Sequence, residues 1–310
     1  MDLHPDLAEA ALRLPPTDLT DVAAARGTNA ERRPVAPYRR AGEAKVEDVV
    51  IDGPGGALAV RVYRPSAGVT GPTVLWVHGG AFIMGTLDSS DAVCSQLAVE
   101  AGALVVNVDY RLAPEHPYPA GVEDSYAALE WLAQEARALG GSAEQLVVAG
   151  SSAGGCIAAA VALRARDQGG PRLARQVLVQ PVLDHRGQTP SATSIVESPV
   201  FTATSNRIMW RTHLGGGPAD AYASPALAED VGGLPPAYIT AAARDPLRDE
   251  AIAYASRLLQ AGVDVELHVY PGAFHGFDSL VPEAPLSQRA NDDLVRAVAQ
   301  TVHELEGASR

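Results

Sequence analysis

The chain has 310 residues, 47% hydrophobic and 20% charged, a composition that excludes a disordered or fibrous protein and leaves room for one large core plus an appended segment. Its formal net charge of −13 excludes functions that rest on neutralising phosphates, which need clustered Lys and Arg, and reads as surface charge for solubility. Two cysteines, Cys94 and Cys156, are too few for a disulfide framework or a zinc site, and the sequence shows neither a secretory leader nor an apolar run of membrane-spanning length. Both cysteines are expected to be packing residues, and the protein to be cytoplasmic, with no nucleic-acid or membrane partner.

In chain order, Leu3, Leu7 and Leu14 have helical spacing up to the Pro15-Pro16 stop, and a weaker helical stretch runs from about Thr17 to Ala30. The basic residues Arg32, Arg33, Arg39 and Arg40 that follow read as a solvated face. From Val46 the pattern turns strand-like: VEDVVID, a Gly-Pro-Gly-Gly turn at 53–56 and ALAVRVYRP predict a β-hairpin. Apolar runs then recur at 73–78, 103–110, 145–150, 176–183, 237–243 and 265–270. Their near-continuous hydrophobicity predicts strands covered on both faces, as in a parallel sheet.

Helical periodicity at 121–138, 153–167, 249–261 and 286–305 completes an alternation that argues for an α/β fold. The alternation breaks from Asp184 to about Ala223, where Ser, Thr and Gly surround a predicted helix near Asn206–His213; an insertion of that kind between sheet strands reads as a cap. The predicted organisation is an N-terminal cap segment over 1–45, an α/β domain over 46–184 and 224–310, and a cap insertion over 185–223.

Chemistry enters at Gly150-Ser151-Ser152-Ala153-Gly154, between the apolar run LVVA and a helical run. This is the strand, G-x-S-x-G, helix context of a nucleophile elbow, where a tight turn exposes a serine at the sheet's carboxyl end beside a helix N-terminus. Upstream, His78-Gly79-Gly80-Ala81 follows a strand and offers backbone N–H groups without side-chain obstruction, as an oxyanion hole requires.

A nucleophilic serine needs a base, and the base needs an orienting acid. Asp245 and His275 each stand just past a late strand, in the chain order Ser, Asp, His. Asp184, at the end of an earlier strand, is the rival acid, whereas Asp249 falls on the following helix. Of the other histidines, His78 belongs to the glycine loop, His268 to a strand and His116 to a proline-fixed loop; His4, His185, His213 and His303 fall in the appendages or the last helix.

These residues, with DYRLAPEHPYPA at 109–120, GSSAGG at 150–155, DPLRDE at 245–250 and HGF at 275–277, resemble the hormone-sensitive lipase family of α/β-hydrolases, the bacterial family IV esterases, over nearly the whole chain. The resemblance implies an eight-stranded, mostly parallel sheet with a helical cap and hydrolysis of short-chain esters through a covalent acyl-enzyme, without metal or cofactor. It implies Ser152, His275 and Asp245 as catalytic residues, backbone oxyanion donors at Gly80, Ala81 and Ala153, scaffold roles for Tyr110, Arg111 and Glu115, and a homodimer through the edge of the last strand.

Two residues depart from the family pattern. Ala81 stands where a third glycine is common, which preserves backbone donation provided φ there is negative, and Ser151 stands where Asp or Thr is common. Ser152 alone occupies the centre of G-x-S-x-G. Phe82, Phe201, Met209, Trp210 and Phe277 are expected to line the substrate pocket. An amidase or deacetylase would share the triad and stays open as an alternative; a non-catalytic receptor of the same fold would lack a triad member, and none is missing here.

Overall fold

The computed structural model describes residues 2–31 and 38–308, with side chains as far as Thr301; Arg32, Arg33 and the side chain of His303 lie outside the described residues. Helix α1 (Pro5–Ala11) starts on a proline, which costs nothing at a position whose N–H has no helical partner. Helix α2 (Val22–Glu31) starts later than the sequence suggests. There the Asp21 carboxylate accepts the Ala24 N–H at 3.0 Å and fixes the first turn.

Strands β1 (Ala44–Gly53) and β2 (Gly56–Pro65) form the expected hairpin, closed by the pairing of Gly53 with Gly56. The remaining elements, in order, are β3 (Thr73–Val77), α3 (Asp91–Glu100), β4 (Leu104–Val108), α4 (Ala120–Glu135), β5 (Leu146–Ser151), α5 (Ala153–Gln168) and β6 (Arg175–Val179). They continue with α6 (Pro190–Ser194), α7 (Ala203–Leu214), β7 (Ala237–Ala242), α8 (Arg248–Gln260), β8 (Val265–Tyr270), α9 (Phe277–Leu280) and α10 (Pro285–Ala308). Helix α3 was not legible: Cys94, Leu97 and Ala98 supply its buried face, too small and few to stand out.

One eight-stranded sheet has the order β1-β2-β4-β3-β5-β6-β7-β8. β1 with β2 and β2 with β4 are antiparallel, and every later pairing is parallel. Side chains alternate between the faces as a strand's period of two demands. Leu75, Val77 and Val148 point to the face covered by α4, α5 and α8; Val74, Trp76 and Val147 point to the face covered by α3 and α10. A third apolar cluster joins Leu7 of α1 to Tyr270, Phe274 and Phe277.

The register decides where function can sit. Val77 pairs with Gly150, Ser151 with Val179, and Ala242 with Tyr270. The carboxyl ends of β3, β5, β6, β7 and β8 therefore lie side by side, and the loops leaving them share one rim, the usual site for ligands in an open parallel sheet. Among the described residues no helix is long and apolar enough to cross a membrane.

Candidate active site

Ser152 sits between β5 and α5 with φ +56 and ψ −119, a conformation that costs an L-residue about 1–3 kcal/mol and persists only where the surroundings impose it. They do so by contact. A Cβ on Gly150 would strike the Gly154 carbonyl, one on Gly154 would strike the carbonyl oxygens of Val77 and His78, and one on Gly155 would lie 2.9 Å from Pro181 Cβ. The Ser152 N–H donates to Val179 O at 2.8 Å and its carbonyl accepts from Val182 N–H at 3.1 Å. The glycines therefore let strand, helix and the β3 loop close on the turn.

His275 and Asp245 reach the same rim. With its proton on Nδ1, His275 donates to Asp245 Oδ2 at 2.6 Å, and Ser152 Oγ donates to His275 Nε2 at 2.8 Å. The other Asp245 oxygen accepts the Leu247 N–H at 3.0 Å, so both carboxylate oxygens are engaged and the carboxylate cannot rotate away. Asp245 and His275 are buried. Burial pulls the His275 pKa down, but the charge and hydrogen bond of Asp245, helped by the charge of Asp278, outweigh it and leave that pKa above the usual histidine value.

The rivals fall elsewhere. Asp184 is held by Arg186 through Nε and Nη2, both at 2.8 Å; burial raises its pKa, but the Arg186 bonds lower it further. Asp249 accepts from Ser191 N–H at 2.7 Å in the first turn of α8. Ser151 packs its hydroxyl against Gly79, where an added Cβ would lie 3.0 Å away; the bond to His275 comes from Ser152. His268 bonds Glu266 at 2.7 Å within β8. Cys94 and Cys156 are buried free thiols whose pKa burial pushes up.

A cavity of about 630 Å³ opens onto Ser152 and His275 and is lined also by Gly80 and Ala81. Among the described residues nothing accepts a hydrogen bond from the N–H groups of Gly80, Ala81 or Ala153, and the last heads α5, where the helix dipole favours negative charge. The condition attached to Ala81 is not met: its φ is +54, and that of Phe82 is +62. The left-handed region admits an L-residue at roughly 1–2 kcal/mol, and the loop has the means to hold it. Ala113 N–H donates to Phe82 O at 2.9 Å, and the Phe82 ring stacks at 3.7 Å on His213, whose pKa burial pushes down to about 3. His213 is thus a neutral aromatic partner near neutrality.

The substrate-pocket expectation needs correction. Of the five residues named, Phe201 lines the cavity, its ring 5.1 Å from that of His275. Phe82, Met209 and Trp210 are buried together in the main core, and Phe277 in the cluster with α1. Apolar side chains near a motif serve core and pocket alike, and composition does not separate them. The cavity wall instead includes Leu19, Tyr38 and Val93.

Tyr110, Arg111 and Glu115 take up supporting contacts. Tyr110 OH donates to His78 O at 3.0 Å, Arg111 Nε to Asp124 Oδ2 at 2.8 Å, and Arg26 of α2 to Glu115 at 2.7 Å. Two polar residues at the rim carried no sequence signal: Gln180, just past β6, and Asp278, in α9, which both line the cavity.

Known proteins resemble this chain in sequence and in fold. The model of the α/β hydrolase fold family matches residues 74–279. The esterase LipI of Mycobacterium tuberculosis is 41% identical over 280 residues, 88% of this chain and 85% of that protein. The carboxylesterase NlhH of the same species is 40% identical over 262 residues, 79% of each. A solved structure of a bacterial heroin esterase superposes with a TM-score of 0.91 at 38% identity, covering 96% of this chain and 98% of that one.

Proposed function

The chain belongs to the α/β-hydrolase fold family, in its hormone-sensitive lipase-like branch, and from that premise we propose that it hydrolyses carboxylic esters by acyl transfer to Ser152. The single observation that carries the assignment of residues is the run of hydrogen bonds from Ser152 Oγ to His275 Nε2 at 2.8 Å and from His275 Nδ1 to Asp245 at 2.6 Å. His275 takes the hydroxyl proton as Oγ attacks the ester carbonyl carbon. The resulting oxyanion faces the N–H groups of Gly80, Ala81 and Ala153, which have no other acceptor among the described residues.

Collapse of the tetrahedral adduct breaks the bond to the alcohol oxygen, and the imidazolium returns its proton to the leaving alkoxide. Water then attacks the acyl carbon, giving its proton to Nε2, and the acid departs as Ser152 is restored. Asp245 keeps the histidine proton on Nδ1 and stabilises the imidazolium. His275 relays both protons of this cycle, the first from Ser152 and the second from water.

The substrate class we propose is short-chain acyl esters. A cavity of about 630 Å³ lies within the size range of small-molecule sites, roughly 300–1,000 Å³, and part of it must take the alcohol group. The N-terminal segment 1–45 and the insertion 185–223 act as its cap in this reading: Leu19 comes from the first and Phe201 from the second.

Hydrolysis of p-nitrophenyl esters from acetate to palmitate tests the class. Rates are expected to fall steeply beyond about eight acyl carbons, given a pocket of that size; equal rates on palmitate would overturn the short-chain assignment. The same assay carries the pH dependence. Neutral imidazole is the base, so activity rises as pH rises through the raised His275 pKa, with the acid limb above the pH at which an exposed histidine titrates. A profile flat from about pH 5 to 9 would contradict this.

We also propose a homodimer through β8, the end strand of the sheet, on which Leu267 and Val269 stand exposed; unpaired apolar edges favour pairing with a second copy. Sedimentation at micromolar concentration is expected to give twice the chain mass, and a monomer would remove the proposal.

A further inference from the structure

Gln180 follows β6 directly, and both ends of its side chain are bonded. Its Oε1 accepts the Gly276 N–H at 2.7 Å, next to His275, and its Nε2 donates to Asp278 Oδ1 at 2.7 Å. Its backbone is unusual too, with φ +47 in a residue that is not glycine, a position where glycine would sit without strain. The backbone N–H is fixed on β7, donating to Thr240 O at 3.1 Å. Its neighbours grip the elbow: Val179 O accepts from Ser152 N–H, and Val182 N–H donates to Ser152 O.

We infer that Gln180 is a positioning residue of the site: its amide, oriented by the Asp278 carboxyl group, ties the His275 loop to the turn that holds Ser152 and so sets the distance between base and nucleophile. The inference rests on the proposed Ser152–His275–Asp245 triad and adds to it the part that keeps two of its members in register. Gln180 bonds the histidine loop from just past β6, the strand beside the nucleophile's own. Asp245, in the loop after β7, holds the ring through its Nδ1.

The orientation follows from donors and acceptors. A backbone N–H only donates, so Gln180 Oε1 must face Gly276, which turns its NH₂ towards Asp278. The backbone of Asp278 is itself held, since its main-chain carbonyl accepts from Asn291 Nδ2 at 3.2 Å. A displacement of about 1 Å between reacting groups is enough for a loss near 100-fold, so this link has kinetic weight although Gln180 exchanges no proton with substrate.

Two variants test it, with a fluorophosphonate as probe, because phosphonylation of Ser152 with loss of fluoride reports the Ser–His pair directly. Gln180→Gly keeps the left-handed backbone without strain and removes only the side chain. It is expected to slow labelling of Ser152 and lower kcat by about 10–100-fold while KM changes less than about twofold. Gln180→Glu puts a second carboxyl against Asp278, and two carboxyls across one hydrogen bond share one proton. Among the described residues, His275 and Tyr238 are the titratable groups whose charge couples to that of Asp278, with Gln180 and Asn291 neutral beside it.

The activity of Gln180→Glu is therefore expected to pass through a maximum and fall as the shared proton is lost, a descending limb that the wild-type profile lacks. A Gln180→Gly enzyme labelled at the wild-type rate, or a Gln180→Glu profile parallel to that of wild type, would overturn the positioning role. Wild-type enzyme that is not labelled at Ser152 at all would overturn the triad, and the inference with it, which keeps the two failures apart.

Discussion

Ser152→Ala is expected to lower kcat on any ester substrate by about 10⁵-fold or more, since removing the nucleophile of such a triad leaves only binding and the oxyanion donors. The loss is chemical rather than structural. Alanine keeps the Cβ and the same strained backbone, φ +56 and ψ −119, and the glycines at 150, 154 and 155 still enclose the turn. The thermal midpoint should therefore stay with that of wild type. Ser152→Gly, which relieves the strain, should raise stability by about 1 kcal/mol while being as inactive as Ser152→Ala. Thermal melts beside p-nitrophenyl acetate rates check both halves, and residual activity within about 100-fold of wild type in Ser152→Ala would move the nucleophile elsewhere.

Asp245→Asn is the second large effect, expected at about 10⁴-fold in kcat. The Leu247 N–H already points at Asp245 Oδ1 from 3.0 Å, so an asparagine must keep its oxygen there and turn its NH₂ towards His275 Nδ1. Two donors would then meet unless the ring proton moves to Nε2. That tautomer cannot accept the Ser152 proton, although the geometry of the site is intact. Steady-state kinetics on one ester should show kcat collapsing with KM little changed. A loss below about tenfold would mean that Asp245 does not fix the tautomer, whereas Asp184→Asn, which loosens only the contact with Arg186, should be far milder.

Much of this was legible in the chain because the signals are local. The buried strands announce themselves as unbroken apolar runs, and G-x-S-x-G between such a run and a helix has few other meanings. His275 and Asp245 could be found because the loops after consecutive parallel strands must share one rim. The choice between Asp245 and Asp184 had a local answer too, although it took coordinates to see it: Arg186, two residues on, occupies the Asp184 carboxylate.

What stayed hidden is what depends on distant partners. Phe82, Met209, Trp210 and Phe277 look like pocket residues by type and neighbourhood, yet they fill cores, because apolar matter is the same on both sides of a cavity wall. The left-handed φ of Ala81 and Phe82 is stabilised by Ala113 and His213, the second of which lies more than a hundred positions along. Gln180 is one polar residue before a proline at a strand end; its meaning lies in Gly276 and Asp278, which no pattern around it encodes.

The central claim, that Ser152 is the acylated nucleophile, is tested most directly by incubating the enzyme with diethyl p-nitrophenyl phosphate and mapping the adduct by fragmentation mass spectrometry. One equivalent of p-nitrophenol should be released per active chain, with the diethylphosphoryl group on Ser152. An adduct on the adjacent Ser151, or on any other residue, would contradict the account.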